Sequence, residues 1–410
     1  MFTSIKIENY KSCKLVEIDR IGPVTVLVGR NGSGKSNVLE AIRWGASTAT
    51  SNGPIKLLSN ILYKEPLAQF EIQLIGQHYR YSMQTTLDAD SPSDLDSPTE
   101  HRAGKPPFLE ENVEVFEENS WKSFIRRRKN TVNIGENGTS LKIGPLTPCL
   151  PALASLLPPG DDSEATVSAI LSFLHQVRYY PFDEPNASEE SRSIISDGTY
   201  KDWLDNYEAT GEPGDSALMQ LLHMILDEPE NFQEFRSLIE VDGLQLLQKI
   251  GYSHIIPTWL NSKSSSNSSD MADGLHFLGF VPAGTSSDPE KSFAFRELSL
   301  GTRRIIRILV ALLFDRSSVM LIEQPEDGIH PGLTEKVMSL LRAYSDPMQM
   351  FITSHSPTVF NALSLEDIRF VDMVEGETRV RRLDEREIQA GRNYLNGDGD
   401  MAGLIQAIEE

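Results

Sequence analysis

The chain has 410 residues, enough for two or three domains or for one domain with large insertions. Its formal net charge of -21 argues against a protein that coats nucleic acid regardless of sequence, because phosphate binding needs clustered lysine and arginine. The sequence contains no apolar run long enough for a transmembrane helix and no signal-peptide core. The only cysteines are Cys13 and Cys149, so we expect a cytoplasmic protein with neither a structural zinc site nor a disulfide framework.

The first 45 residues predict a strand, a turn, a second strand, a Gly-rich loop and a helix. Ile5 and Ile7 alternate with polar neighbours, as on a half-buried strand. Residues 24–28 (VTVLV) form a short apolar run that is typical of a buried strand. Apolar residues at helical spacing follow from Ser36 onward.

The middle of the chain predicts strands first and helices later. Alternation predicts a β-hairpin over residues 68–86, and strands recur over 112–144 with an Asn-Gly turn at 137–138. Helical periodicity covers 164–175 and 215–250. Two segments rich in serine and aspartate predict flexible loops, 88–107 and 261–274.

The fold class that these elements predict is α/β, with a mixed sheet, flanking helices and a large inserted α+β segment. Strand and helix alternate again after about residue 276. We expect one nucleotide-binding core made of two halves, residues 1–45 and 275–375. Residues 46–274 would be the insert, and residues 376–410 a C-terminal tail.

Residues 29–36 (GRNGSGKS) match the phosphate-loop pattern G-x-x-x-x-G-K-[ST] at every position. Glycines let backbone N–H groups turn inward and cradle phosphates. Lys35 places a charge beside the β- and γ-phosphate oxygens, and the Ser36 hydroxyl can coordinate Mg²⁺. A buried strand precedes the loop and a helix follows it, so the pattern predicts ATP binding.

Three further motifs follow in the last third of the chain. Residues 298–302 (LSLGT) precede an apolar helix that Ser299 could cap. Residues 319–323 (VMLIE) predict a buried strand that delivers Glu323 towards the Mg²⁺ held by Ser36. Residues 350–355 (MFITSH) predict another strand, which ends in His355. One helix and one strand fit between Glu323 and His355. Both residues would therefore lie at carboxyl ends of strands, where α/β folds bind ligands.

Together these motifs resemble the ABC-type ATPase superfamily. The resemblance is strongest to its RecF/SMC/OLD-like branch, especially to the stand-alone AAA-domain ATPases found with bacterial defence systems. The opening residues 5–18 (IKIENYKSCKLVEI) resemble the branch's N-terminal strand pair, and residues 27–44 (LVGRNGSGKSNVLEAIRW) resemble its Walker A segment. Residues 298–304 (LSLGTRR) are similar to its signature, 321–332 (LIEQPEDGIHPG) to its Walker B segment, and 352–357 (ITSHSP) to its His switch.

The resemblance implies a set of site residues. Glu323, Gln324 and His355 would stand at the catalytic positions, and Ser36 and Glu323 would hold Mg²⁺. ATP would contact residues near the adenine, in the phosphate loop and in the signature: Asn9, Lys11, Ser12, Arg30, Asn31, Gly32, Ser33, Gly34, Lys35, Ser36, Asn37, Ser299, Gly301 and Thr302. The signature acts in trans in this superfamily, which implies a head-to-tail homodimer with two ATP molecules at its interface.

Gln324 departs from the family pattern, which has a glutamate after the Walker B acid. Glutamine cannot accept a proton, and loss of a general base typically costs about 10²–10⁴ in rate. We therefore expect slow hydrolysis. Two explanations stay open: Gln324 is native to an ATP-gated scaffold, or it replaces a glutamate and traps the ATP-bound state. Glu326 is a poor substitute base, because it lies two residues on, across Pro325.

The resemblance favours a sensor or regulator of a separate effector, such as a nuclease, in prokaryotic antiphage defence. About 55 residues follow His355, which we expect to be too few for a fused Toprim nuclease. Two alternatives stay open: a RecF-like DNA-repair ATPase and a non-hydrolysing scaffold. Any DNA contact would use the basic run Arg126, Arg127, Arg128 and Lys129, although the sequence favours a solvated hairpin face as the explanation of that run.

Overall fold

A computed structural model of the chain provides the structure. It describes residues 1–55, 65–74, 76–86, 108–135, 140–181, 193–211, 214, 216–240, 243–256, 274–285, 292–397 and 399–409. Their contacts divide the chain into two units. Unit 1 comprises residues 1–180, 317–324 and 341–410, and unit 2 comprises residues 181–316 and 325–340.

Unit 1 contains a six-stranded mixed sheet. Its strands, in spatial order, are β10 (Val177–Tyr180), β14 (Val319–Glu323), β15 (Gln349–Ser354), β3 (Val24–Val28), β16 (Ile368–Val374) and β17 (Glu377–Arg382). The first five run parallel, and β17 pairs antiparallel with β16. All five residues of β3 are buried, which explains its uninterrupted apolar sequence.

A second sheet in unit 1 is antiparallel and has eight strands. In spatial order they are β2 (Cys13–Ile18), β1 (Phe2–Tyr10), β4 (Leu67–Leu74), β5 (Gln77–Thr86), β6 (Phe108–Glu117), β7 (Ser120–Arg128), β8 (Thr131–Ile134) and β9 (Ser140–Lys142). Strands β4 and β5 pair antiparallel, so the predicted hairpin is confirmed over the described residues 68–74 and 77–86.

Helix α1 (Lys35–Ala49) joins the two sheets of unit 1 in one hydrophobic core. Val38 and Ile42 on α1, Phe70 of the antiparallel sheet and Phe351 of the mixed sheet are fully buried in the same cluster. The core thus holds the start of α1 against the carboxyl end of β3. The remaining helices of unit 1 are α2 (Cys149–Leu156), α3 (Asp162–His175), α9 (Pro357–Phe360), α10 (Glu385–Leu395) and α11 (Met401–Glu409).

Unit 2 combines helices with a three-stranded antiparallel sheet, in the order β11 (Ile194–Ser196), β13 (Leu275–Pro282) and β12 (Leu247–Ile255). Its helices are α4 (Asp197–Thr210), α5 (Ala217–Leu226), α6 (Pro229–Ile239) and α7 (Leu300–Phe314), and α8 (Pro331–Ala343) begins in this unit. Helix α7 is buried along most of its length, from Arg304 to Phe314.

The α/β class with a mixed sheet is confirmed, and so are the helix and strand expected between Glu323 and His355, which are α8 and β15. The helix predicted over residues 215–250 is wrong beyond Ile239. A turn with Gln245 at a φ of 59° ends the helical region, and β12 begins at Leu247. Leu247 and Ile250 are apolar because they face the core from a strand.

The predicted loop at 88–107, the predicted loop at 261–274 except for Gly274, and the Asn-Gly turn at 137–138 lie outside the described residues. The division of the chain into a core of 1–45 and 275–375 with an insert stays a prediction. Residues 377–409, which we expected to form a tail, contain β17, α10 and α11.

Candidate functional site

The phosphate loop connects β3 to α1 and is shaped by its glycines. Gly34 is the N-cap of α1 and has a φ of 98°, in the left-handed region that favours glycine. A Cβ at Gly34 would lie 1.9 Å from the Thr378 Oγ1. Both the backbone conformation and this close contact therefore exclude a side chain at this position. No side chain projects from Gly34 at the start of this fifteen-residue helix, whose N-terminal N–H groups stabilise an anion.

Lys35 and Ser33 are the buried polar side chains of this loop, at 5% exposure each. The Lys35 Nζ donates to the carbonyl oxygens of Gly29 (2.7 Å) and Arg30 (2.9 Å), both within the loop. The Ser33 Oγ has no hydrogen-bond partner among the described residues. A buried hydroxyl without a partner is costly, and a phosphate oxygen would satisfy it.

Glu323 ends β14 beside β15 in the parallel register, opposite Thr353. Its Oε1 accepts a hydrogen bond of 2.8 Å from the Tyr179 hydroxyl. Burial, and secondly this hydrogen bond, raise the pKa of Tyr179 well above its usual range. Tyr179 therefore remains a donor at physiological pH and fixes the orientation of the carboxylate.

Gln324 and His355 lie side by side at the ends of β14 and β15. The Gln324 Nε2 is 3.0 Å from the His355 Nδ1. An amide nitrogen can only donate, so Nδ1 is the acceptor. The backbone of Gln324 has a φ of 42°, and its N–H donates to the Thr353 carbonyl at 3.0 Å. The left-handed backbone ends the strand and directs the side chain to the histidine.

A cleft of about 260 Å³ brings the loop and the histidine together. It is lined by Gly29, Arg30, Asn31, His355 and Phe360. Strands β14, β15 and β3 are adjacent in the sheet, so the phosphate loop, Glu323 and His355 meet at one edge. This is the edge where parallel α/β sheets bind ligands.

The turn between β1 and β2 is tied to α1 by side-chain contacts. The Ser12 Oγ accepts from the Asn37 Nδ2 at 2.6 Å and lies 2.6 Å from the Thr378 Oγ1. Lys11 forms an ion pair with Glu40. Asn9 has a φ of 58°, and its Nδ2 donates to the Glu65 carbonyl at 3.4 Å. The turn thus packs beside the phosphate loop, where the resemblance places the adenine.

The signature residues belong to unit 2. Ser299 is exposed and caps α7, its Oγ accepting from the Thr302 N at 3.2 Å. A Cβ at Gly301 would lie 2.4 Å from the Gly328 carbonyl oxygen, so packing within the unit already requires glycine there. Leu300 is 43% exposed. The cap is confirmed, and the helix N-terminus presents an exposed hydroxyl.

The basic run is corrected at Arg127, which is fully buried. Its guanidinium pairs with the buried carboxylate of Glu111 and donates to the carbonyl oxygens of Gly144 and Pro145. Alternation along β7 places Arg127 on the core face, whereas Arg126, Arg128 and Lys129 are exposed. Within the run 126–129, Arg126, Arg128 and Lys129 therefore form the exposed basic surface.

Sequence reasoning missed Tyr179 and Thr378. Thr378 is buried on β17, and its backbone N–H donates to the Ser12 carbonyl at 2.8 Å. Both residues are far from the motifs in sequence and reach the site through strand pairing. The one signal was the run VRYY at 177–180, a short apolar and aromatic segment typical of a strand.

A family model described as "AAA domain" matches residues 4–240, more than half of the chain. The chain belongs to the AAA-domain family. A second model, described as "AAA domain, putative AbiEii toxin, Type IV TA system", matches residues 279–361. The first match includes the phosphate loop, and the second includes the signature, Glu323 and His355. The resemblance to AAA-domain ATPases is thereby confirmed at both ends of the motif set.

Two curated relatives match shorter stretches of this AAA-domain chain. An uncharacterized protein of Methanocaldococcus jannaschii is 40% identical over 81 residues, 18% of this chain and 24% of the relative. An ATP/GTP phosphatase of Helicobacter pylori is 34% identical over 101 residues, 23% of this chain and 27% of the relative. The matched stretches therefore span about a quarter of each relative.

Solved structures similar to this AAA-domain chain include SMC head domains. The head domain from Thermotoga maritima has a TM-score of 0.43 at 13% identity, covering 93% of this chain and 99% of that chain. An SMC head bound to the C-terminal winged-helix domain of ScpA has a TM-score of 0.45 at 13% identity, covering 95% and 99%. Among the described residues of this chain, no helix has the length and apolar character needed to span a bilayer.

Proposed function

We propose that this protein is an ATPase that dimerises head to tail around two ATP molecules and thereby controls a separate effector in prokaryotic antiphage defence. One observation carries the ATPase part: the phosphate loop, Glu323 and the Gln324–His355 pair lie at the carboxyl ends of three adjacent parallel strands. A carboxylate, a histidine and a phosphate cradle at one sheet edge are the parts that phosphoryl transfer needs.

The residues present fit ATP and Mg²⁺. The N-terminal N–H groups of α1, the buried Lys35 and the unpartnered Ser33 hydroxyl suit the phosphates. Ser36 is exposed beside them and would hold Mg²⁺ with Glu323, which is already oriented by Tyr179. The ion would neutralise charge that develops on the phosphate oxygens.

Dimerisation is supported by the exposed start of α7. Ser299 and its helix N-terminus face solvent and can meet a phosphate bound by a second copy. In the family that the chain resembles, this signature acts in trans. A two-fold head-to-tail dimer then places Ser299 of each copy against Lys35 of the other. Each ATP becomes part of the interface, so nucleotide binding controls assembly.

A non-hydrolysing scaffold is a second candidate, and Gln324 favours it. Its amide occupies the position of a general base and is held by His355. A carboxamide cannot take a proton from water, so the ATP-bound dimer would persist. In this reading ATP works as a structural ligand.

The defence role is supported by the family description over residues 279–361, which names a toxin of a Type IV toxin–antitoxin system. It is tested by phage plating on cells that express the chain from its native locus with its neighbouring genes. We expect fewer plaques than on cells without the locus, and full plating when Lys35→Ala removes nucleotide binding. Equal plating on all three strains would contradict a defence role.

A RecF-like DNA-binding ATPase is a third candidate, favoured by the exposed Arg126, Arg128 and Lys129. It predicts salt-sensitive binding of duplex DNA by the ATP-bound form. Charge reversal at the three positions should lower both the affinity and the salt dependence, measured by fluorescence anisotropy between low and physiological salt. Unchanged binding by the reversed variant would remove this candidate.

A further inference from the structure

Two histidines and one aspartate converge in unit 2, away from every motif described above. His254 on β12 and His276 on β13 are direct cross-strand partners. Their side chains leave the same face of the sheet, and the imidazole rings stack with centroids 4.5 Å apart. Asp197 is the first residue of α4, directly after β11 on the other side of β13.

The ligand-forming atoms of the three side chains point at one another. The Asp197 Oδ1 is 2.9 Å from the Nε2 of His254 and 2.9 Å from the Nε2 of His276. Ligands bound to one Zn²⁺ at about 2.0–2.2 Å lie about 3 to 3.5 Å apart from each other. The two Asp197 contacts would lengthen by a few tenths of an ångström around such an ion, and all three ligand atoms already lie within 4.8 Å of one another.

Each of two ligands has a second partner that fixes its orientation. The His276 Nδ1 is 3.0 Å from the Tyr252 hydroxyl, which can accept the Nδ1–H of an imidazole bound through Nε2. The Asp197 Oδ2 accepts from the Gly274 N–H at 3.1 Å. Outer partners of this kind orient the ligands of metal sites.

Gly274 also keeps the space in front of the ligands open. A Cβ at this position would lie 2.4 Å from the His254 Nε2 and 2.5 Å from the Asp197 Oδ2. Any side chain here would enter the cluster. Glycine is thus required by the approach of two ligand side chains.

We propose that Asp197, His254 and His276 bind a divalent transition-metal ion, with Zn²⁺ as the first choice. Two imidazole nitrogens and one carboxylate suit a borderline ion such as Zn²⁺, whereas Mg²⁺ prefers oxygen ligands. The ion fastens the start of α4 to the β12–β13 pair. The sequence expectation of no structural zinc considered cysteines alone, and these ligands are 57 and 22 residues apart in the chain.

Calorimetric titration of the full chain with Zn²⁺, without nucleotide and after removal of bound metal by a chelator, tests the site. We expect one Zn²⁺ per chain. His254→Ala removes a ligand at an exposed position, and Gly274→Ala keeps all three ligands but fills the space between them. Both should weaken Zn²⁺ binding at least about 10-fold, since even outer partners contribute about 10- to 100-fold.

His78→Ala is the matched control, because it removes a histidine of unit 1 and should bind Zn²⁺ as the unmodified chain does. Co²⁺ added to the unmodified chain gives a readout independent of the variants, with visible absorption bands that Zn²⁺ abolishes. The proposal would be overturned if the unmodified chain did not bind Zn²⁺, or if His254→Ala and Gly274→Ala bound Zn²⁺ as tightly as the unmodified chain does. The three residues would then form only a hydrogen-bonded cluster.

Discussion

We expect the rate of the proposed reaction to depend on Gln324. Its amide donates to the His355 Nδ1 at 3.0 Å, and its left-handed backbone holds it at the end of β14. A glutamate has the same shape, so it would occupy the position without repacking. The difference is chemical: a carboxylate accepts a proton from water, and a carboxamide does not.

Gln324→Glu should therefore raise ATP turnover by about 10²–10⁴, the usual contribution of a general base. Steady-state phosphate release in the presence of Mg²⁺ measures this. The double variant Lys35→Ala, Gln324→Glu serves as the control and should be inactive. Turnover that stays unchanged in Gln324→Glu would show that this position does not supply the base in the isolated chain.

Cys13 offers a test of the core beside the site. Burial is the main cause that raises the pKa of its thiol from 9.0 to about 12. The folded chain therefore favours the protonated thiol, which stabilises it fully below pH about 9 and progressively less as pH rises towards 12. We expect iodoacetamide to label neither cysteine of the native chain at pH 8 and both after unfolding. Native labelling at the rate of a free thiol would contradict the buried environment.

At the scale of the residue, the sequence predicts those site residues that belong to a short continuous motif. The phosphate loop could be recognised because its eight residues shape one turn, and Glu323 and His355 because each ends an apolar run. Tyr179 and Thr378 could not, because each reaches the site through the pairing of strands that are distant in sequence. Their roles depend on neighbours that no local pattern specifies.

At the scale of the element, strand β7 shows that the position of a residue along the strand, rather than its type, decides whether its side chain is buried. Ile125 and Arg127 both face the core, while Arg126 and Arg128 face solvent. The buried Glu111 carboxylate accepts from Arg127, from the Tyr81 hydroxyl at 2.9 Å and from the Cys149 N–H. Arg127 is thus a structural residue, and its neighbours in the run are surface residues. The alternation of side chains along a strand, with a period of two, could have predicted this difference.

Arg127→Ala leaves Glu111 buried without its cation, so we expect a loss of about 3–5 kcal/mol in the free energy of unfolding. Arg126→Ala is the matched control on the exposed face of the same strand and should change stability by less than about 0.5 kcal/mol. Urea unfolding of the two variants measures both values. Equal midpoints would contradict the assignment of faces along β7.

In unit 2, the periodicity of apolar residues does not predict where the helix ends and the next strand begins. The apolar repeat continues past Ile239, but the turn before β12 and the pairing with β13 decide the conformation of residues 247–255. Tertiary pairing overrides local preference here. The same pairing brings His254 opposite His276, which the sequence could not show.

At the scale of the whole molecule, the central claim is that ATP joins two copies of the chain. The phosphate loop in unit 1 and the exposed cap of α7 in unit 2 are each formed within their own unit. In the proposed two-fold dimer, the phosphate loop of one copy and the α7 cap of the other lie on opposite sides of one nucleotide. Slow hydrolysis, expected from Gln324, should make that dimer long-lived.

The most direct test is the mass of the chain in solution by light scattering, with and without Mg-ATP. We predict 45.8 kDa without nucleotide and about twice that mass with it. Ser299→Arg should bind a fluorescent ATP analogue yet remain at the lower mass, because its altered surface lies on the partner side of the nucleotide. A mass of 45.8 kDa at saturating ATP, or the same dimer with and without nucleotide, would contradict ATP-dependent dimerisation.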